Sequence, residues 1–134
     1  MHSVESIQRI VDPLFPGLIG VRILEATPEV VIAELVVRPD LCTLGGILHG
    51  GAYMALADTL GAIGTILNMP QGKRTATTDS STKFIGAARV NTIVVGECLP
   101  LHRGRTTMVW QTTVKSSEGK LCAVITQTQL VLDG

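Results

Sequence analysis

The sequence is short of charge and has no surplus of either sign: Lys and Arg number 11, Asp and Glu number 11, and charged residues make up 16% of the chain. The basic residues are scattered, with no run of them to follow a phosphate backbone, so nucleic acid is excluded as an expected partner. Three cysteines, Cys42, Cys98 and Cys122, are odd in number and lack C-x-x-C spacing, which indicates neither a disulfide framework nor a metal site. They read as core or wall residues in a reducing compartment. The stretch from Met1 to Ile10 has no basic run leading into an apolar block, and no small-residue cleavage site follows, so the expected location is cytoplasmic. The longest apolar stretch, Gly50 to Met69, approaches membrane-spanning length. Asp58 in its middle, diluted by Thr59, Gly61, Gly64 and Thr65, makes it a buried helix of a soluble protein with no membrane partner.

What the sequence does have is apolar residues, 46% of 134. The length suits one domain over 1–134, and so lean a polar coat leaves apolar surface for another subunit to cover. Val4 to Leu14 places Ile7, Ile10 and Val11 on one face at helical spacing until Pro13 and Pro16 stop it. Leu18 to Ala26 and Val30 to Val37 are rich in Val and Ile and flank Thr27-Pro28-Glu29, a hairpin pattern. Asp40 to Gly46 reads as a loop, and His49 to about Leu67 as one long helix whose apolar residues go all the way round, as in a helix enclosed by other structure. Four strands follow: Arg74 to Phe84, Thr92 to Leu101, Thr106 to Lys115 and Lys120 to Leu132, with breaks at Gly86 to Asn91, His102 to Arg105 and Ser116 to Gly119. Short connections make the sheet antiparallel, and it should wrap the long helix.

Asp58 is the only charged residue between His49 and Lys73. An unpaired buried carboxylate is costly, so it is either a structural residue satisfied by Thr or backbone donors, or a general base or nucleophile tuned by burial. At the start of the same helix stands Leu48-His49-Gly50-Gly51. Glycines allow a ligand close to the backbone, and the first amides of a helix lack internal partners and can donate to a developing oxyanion. Gly50 and Asp58, eight residues apart, are separated by ~12 Å along one helix, too far for both to act on one bond. Two copies with antiparallel helices side by side would bring Gly50 of one opposite Asp58 of the other, making two composite sites. The polar run Thr75 to Thr82 is either a solvated face or a wall of hydrogen bonders near the site. Lys83, Arg89, Arg103 and Arg105, at strand ends and loops, are either solvated charges or contacts for the phosphates of a nucleotide-bearing substrate.

Gly46-x-x-His49-Gly50-Gly51 followed by Leu56-Ala57-Asp58 resembles the hot-dog-fold thioesterases related to the phenylacetate-degradation thioesterase. Pro100-Leu101-His102-x-Gly104, Val109-Trp110-Gln111 and Gly119-Lys120-Leu121-Cys122 resemble the branch containing 4-hydroxybenzoyl-CoA and 1,4-dihydroxy-2-naphthoyl-CoA thioesterases. The resemblance runs from about Phe15 to Leu132. It implies an α+β hot-dog fold, a six-stranded antiparallel sheet wrapped around a long central helix. Chains would pair into a dimer with a continuous sheet, the minimal unit, and dimers would pair further into a tetramer. The implied reaction is hydrolysis of an acyl-CoA thioester, aryl or short to medium chain, at the dimer interface, with coenzyme A present only as part of the substrate and no separate cofactor. Carried over by motif, the Gly50 amide polarises the thioester carbonyl, His49 and Gly51 shape that pocket, and Asp58 of the neighbouring subunit attacks or activates water. Arg89, Arg103, Gly104 and Arg105 fall where relatives hold the nucleotide.

The sequence departs from the family at Thr43, six residues before His49, where Asn or Gln is common; a hydroxyl there donates one hydrogen bond and reaches less far. Ala62 has no hydroxyl one turn after Asp58, and Thr77 on the facing strand is the expected replacement for orienting water. Two other functions use the same features. One is a hot-dog dehydratase of 3-hydroxyacyl thioesters, which pairs a His with a carboxylate; the other is a non-catalytic acyl-CoA binder that kept the fold.

Overall fold

The computed structural model describes residues 2–134. Helix α1 (Val4–Val11) starts at Ser3, whose Oγ accepts from the Ser6 amide while the Ser6 hydroxyl accepts from the Ser3 amide, so two helix-start donors are satisfied reciprocally. Ile7 and Val11, four residues apart, are buried; Ile10, expected on the same face, is exposed. The span from Leu18 to Ala26 is not one strand. Phe15–Ile19 forms helix α2, with Pro16 in its first turn, where a missing N–H is harmless, and Gly20 at φ +88° closing it. Strand β1 (Arg22–Ala26) begins only after that cap and pairs with β2 (Val31–Val36) as the expected hairpin. Within the expected loop, Pro39–Leu41 is a 3-10 turn, and β3 (Cys42–Thr43) pairs with β4 (Ile47–Leu48) around Gly45 and Gly46 at positive φ.

The long helix α3 (Gly50–Asn68) lies across one face of a six-stranded antiparallel sheet. The other strands are β5 (Arg74–Phe84), β6 (Ile93–Arg103), β7 (Thr107–Ser116) and β8 (Leu121–Leu132), and the sheet order is β1-β2-β6-β7-β8-β5. β6 runs on through His102 and Arg103, where a break was expected. A register shift between Pro100 and His102 carries the strand past its irregular point. β5 ends the sheet, so one long backbone edge is unpaired within the chain.

Small residues let helix and sheet approach closely. A Cβ on Gly64 would sit 2.7 Å from the Trp110 ring. The Trp110 Nε1 in turn donates to the buried Thr65 Oγ1 at 2.9 Å, which donates to the Gly61 carbonyl. Leu56, Ala57 and Leu60 on the sheet side of α3 have no exposed surface. The opposite side is open: Gly51, Asp58 and Ile66 are exposed and Ala55 and Ala62 half-buried. The expectation of a fully enclosed helix is therefore corrected: the sheet covers one side, α1 and α2 reach only part of the other, and among the described residues nothing covers Asp58.

Candidate active site

Asp58 projects from the open side of α3 and is exposed in the single chain, so the burial that was expected to tune it is not supplied by its own fold. Instead its Oδ1 accepts from Thr77 Oγ1 at 2.6 Å and from Gln127 Nε2 at 3.2 Å. Behind this pair, Gln129 Nε2 donates to Thr77 Oγ1 at 2.7 Å, and Thr75 Oγ1 shares its proton between the Leu130 carbonyl at 2.8 Å and Gln129 Oε1 at 2.9 Å. A slip in register between Thr77 and Asp79 lets Thr75 and Thr77 meet β8 in this way. The polar run Thr75 to Thr82 is thus partly a wall of hydrogen bonders, through Thr75 and Thr77, and partly a solvated edge, through Thr78, Asp79 and Ser81. Sequence reading missed Gln127 and Gln129. Their signal was parity: they fall on the same inward row of β8 as Ala123 and Ile125, and both are fully buried.

His49 is the N-cap of α3, in extended conformation, and its Nδ1 accepts from the Gly51 amide at 2.8 Å. An accepting Nδ1 leaves the ring proton on Nε2, facing outward. The Gly51 amide is thereby occupied; a Cβ at Gly51 would lie 3.0 Å from Nδ1, so the glycine keeps the cap in place. The Gly50 amide has no partner among the described residues and is the donor the turn leaves free. It opens on a cleft of about 330 Å³ lined by Thr43, Leu48, Tyr53, Phe84 and Ala87. Thr43 and Gly50 thus share one cleft, whereas Thr77 stands with Asp58, two helical turns away. The Tyr53 phenol is pushed up to about 12, chiefly by burial and then by neighbouring Cys122, so it remains a neutral wall of that cleft. A smaller recess at the helix start brings Phe15, Ile19, Leu41 and Ala55 to His49, with Asp40 also in its lining.

The basic residues are not gathered by one chain. Arg89, paired through its backbone with Ile47, and Lys83, beside Phe84 at Gly50, lie toward the start of α3. Arg103 donates to the Pro28 carbonyl at 3.2 Å and to Asn68 Oδ1 at 3.4 Å, at the far end of the same helix. Gly104 follows it, with its amide on the Thr107 carbonyl at 2.9 Å, where a Cβ would strike that oxygen; Arg105 is exposed beside it.

The sequence profile of the thioesterase superfamily matches residues 45–123, more than half the chain and inclusive of the Gly50 turn, Asp58 and Thr77. The chain belongs to the thioesterase superfamily. A Mycobacterium tuberculosis relative that carries an esterase name is 30% identical over 112 residues, 81% of this chain and 79% of that protein. One from Haemophilus influenzae, also named an esterase, is 33% identical over 88 residues, 66% of this chain and 63% of its own length. Among solved structures, a thioesterase of Haemophilus influenzae superposes with a TM-score of 0.93 at 26% identity, covering 99% of this chain and 92% of that one. A Streptococcus mutans protein, solved bound to acetyl CoA, shares the fold with a TM-score of 0.78 at 23% identity, covering 85% and 90%. Membership of the superfamily makes the reaction class thioester hydrolysis on a hot-dog fold.

Proposed function

We propose that the chain hydrolyses acyl-coenzyme A thioesters at sites shared between two copies, with Gly50 of one facing the partner subunit's Asp58. The observation that carries this reading is one helix bearing an unpartnered Gly50 amide in an open cleft and, ~12 Å along it, a carboxylate with one oxygen free on the side that the described residues leave uncovered. The unpaired edge of β5, which carries Thr77, supplies the strand along which two sheets can join, and a closed two-fold pairing accounts for both open surfaces.

In this site the thioester carbonyl oxygen accepts from the Gly50 N–H, and His49 holds the turn by occupying the neighbouring amide. The partner subunit's Asp58 takes a proton from a water molecule through Oδ2 as that water attacks the carbonyl carbon. The tetrahedral intermediate then collapses, the C–S bond breaks, and the proton held by Asp58 passes to the departing thiolate. The short Asp side chain leaves room for the intervening water, and Thr43 borders the cleft that would hold the carbonyl. Antiparallel pairing with Gly50 opposite Asp58 also places the end of the partner's helix, ten residues beyond Asp58, ~15 Å past Gly50. That moves the partner's Arg103–Arg105 turn toward Lys83 and Arg89, forming a basic rim for the phosphates of coenzyme A. The acetyl CoA held by the Streptococcus mutans neighbour supports the same substrate class. The aryl or short-to-medium acyl group would occupy the recess of Phe15, Ile19 and Ala55.

The test is a panel of aryl, short, medium and long acyl-CoA esters assayed for loss of thioester absorbance. Turnover of aryl or short-to-medium esters is expected. Tight binding of every ester with no turnover would sink the proposal in favour of a binder, and loss of water from a 3-hydroxyacyl ester would favour a dehydratase.

A further inference from the structure

Gln127 and Gln129 place two side-chain amides on the inward face of β8, where neither retains any exposed surface. Buried amides need partners, and these two find theirs in the Asp58 cluster. A hydroxyl has a single proton: with Gln129 Nε2 donating to Thr77 Oγ1, the Thr77 proton is directed to Asp58 Oδ1. The Gln127 Nε2 donates to the same oxygen, and Oδ2 makes no hydrogen bond among the described residues. The Gln127 amide is held this way round although its Oε1 is buried without a partner. Flipped, it would set a carbonyl oxygen 3.2 Å from a carboxylate oxygen, two acceptors face to face. Room for the amide comes from Gly61, the residue three beyond Asp58, where a Cβ would stand 2.5 Å from Gln127 Cδ.

We propose that Gln127, seated in the gap at Gly61, and Gln129, acting through Thr77, are positioning residues that engage Oδ1 of Asp58 and present Oδ2 as the oxygen that takes the proton from water. The inference rests on Asp58 being the general base. Two donors on one oxygen stop the carboxylate from turning about its Cβ–Cγ bond, so a fixed lone pair meets the water in each encounter. The chain of donation from Gln129 through Thr77 runs toward the negative charge, each bond polarising the next.

Gln127→Met keeps the bulk and removes the donor. Expected is a kcat lower by about tenfold, the worth of one hydrogen bond to a charged group, with KM within about twofold. Gln127→Glu keeps the shape and can donate only while protonated. Its kcat is expected to fall as pH rises and the new carboxyl becomes a second anion against Oδ1, a limb the parent protein lacks. Gly61→Ala favours the helix yet displaces the Gln127 amide, and is expected to lower kcat as Gln127→Met does. If Gln127 merely fills space, Gln127→Met has the parental kcat or Gln127→Glu the parental pH profile, and either result overturns the proposal. Should Gln127→Met not fold, the Gln127→Glu profile and Gly61→Ala decide it by the same criteria. Asp58→Asn measured alongside separates the two levels: full activity there refutes the general base itself. An inactive Asp58→Asn beside parental Gln127 variants refutes only the positioning.

Discussion

Asp58→Asn is a clean perturbation because the structure gives the carboxylate two oxygens in different settings, Oδ1 accepting two hydrogen bonds and Oδ2 none among the described residues. An asparagine can keep a carbonyl oxygen where Oδ1 accepts from Thr77 and Gln127, and it replaces the free Oδ2 by an amide that cannot take a proton. The two retained bonds weaken from charge-assisted to neutral; with Asp58 exposed in the single chain, the loss is roughly 1 kcal/mol or less in all. Against a domain stability of ~10 kcal/mol the protein stays folded, and its thermal midpoint drops by no more than about 8 °C. A positioned base contributes about 10²- to 10⁴-fold to the rate, so kcat should fall by at least about 100-fold. The assay is thioester loss at saturating acyl-CoA, with thermal unfolding on the same samples. A folded variant that turns over within about threefold of the parent, far inside that window, would refute the assignment of the base.

Three further outcomes are expected. Thr65→Val removes the acceptor of the buried Trp110 Nε1 at nearly constant volume and should lower unfolding stability by about 1–3 kcal/mol in a urea titration; an unchanged midpoint would contradict the packing described for α3. In the native protein at mildly alkaline pH one thiol, the half-buried Cys42, should react with a thiol reagent. Cys98, pushed up to about 11 chiefly by burial, and the buried Cys122 should react only in denaturant, and prompt labelling of all three would refute their placement. Raising the ionic strength should raise KM for an acyl-CoA but not for the same acyl group on N-acetylcysteamine, which has no phosphates. Equal response of the two would argue against the basic rim.

The long helix and the last four strands were legible because their signals are local: a stretch of Ala, Leu and Ile bounded by His49 and Pro70, then Val- and Thr-rich runs separated by turn residues such as Ser116 to Gly119. Leu18 and Ile19 read as strand from sequence since the five residues Phe15–Ile19 have no room to show a helical period; only Pro16 in their first turn and Gly20 after them mark the helix. The Gly50 turn and Asp58 stood out as chemistry because glycines at a helix start and a lone charge in an apolar helix are anomalies in one dimension. Gln127 and Gln129 were not anomalous: Thr126 to Gln129 is a polar run near the end of a strand. Only the pairing of β8 with β5 and the seat at Gly61 reveal that Gln127 reaches Asp58 and Gln129 reaches Thr77 beside it. The open side of α3 was invisible for a different reason. Apolar character all round a helix records everything that ever covers it, and does not distinguish the chain's own sheet from another copy.

Shared sites are tested most directly by mixing two inactive variants. Gly50→Pro deletes the free amide at the first position of α3, where proline suits the backbone and His49 at φ −63° and ψ 139° already has the conformation that a residue before proline needs; its Cβ comes 3.0 Å from the exposed Phe84 ring, which must shift slightly. Each of Gly50→Pro and Asp58→Asn should be inactive alone. After subunit exchange, random pairing makes half the dimers hybrids with one complete site each, so about one quarter of parental activity should return. A mixture as inactive as its components, with exchange demonstrated by differently tagged chains, would contradict the shared site, as would full activity from a parental protein that sediments as a monomer.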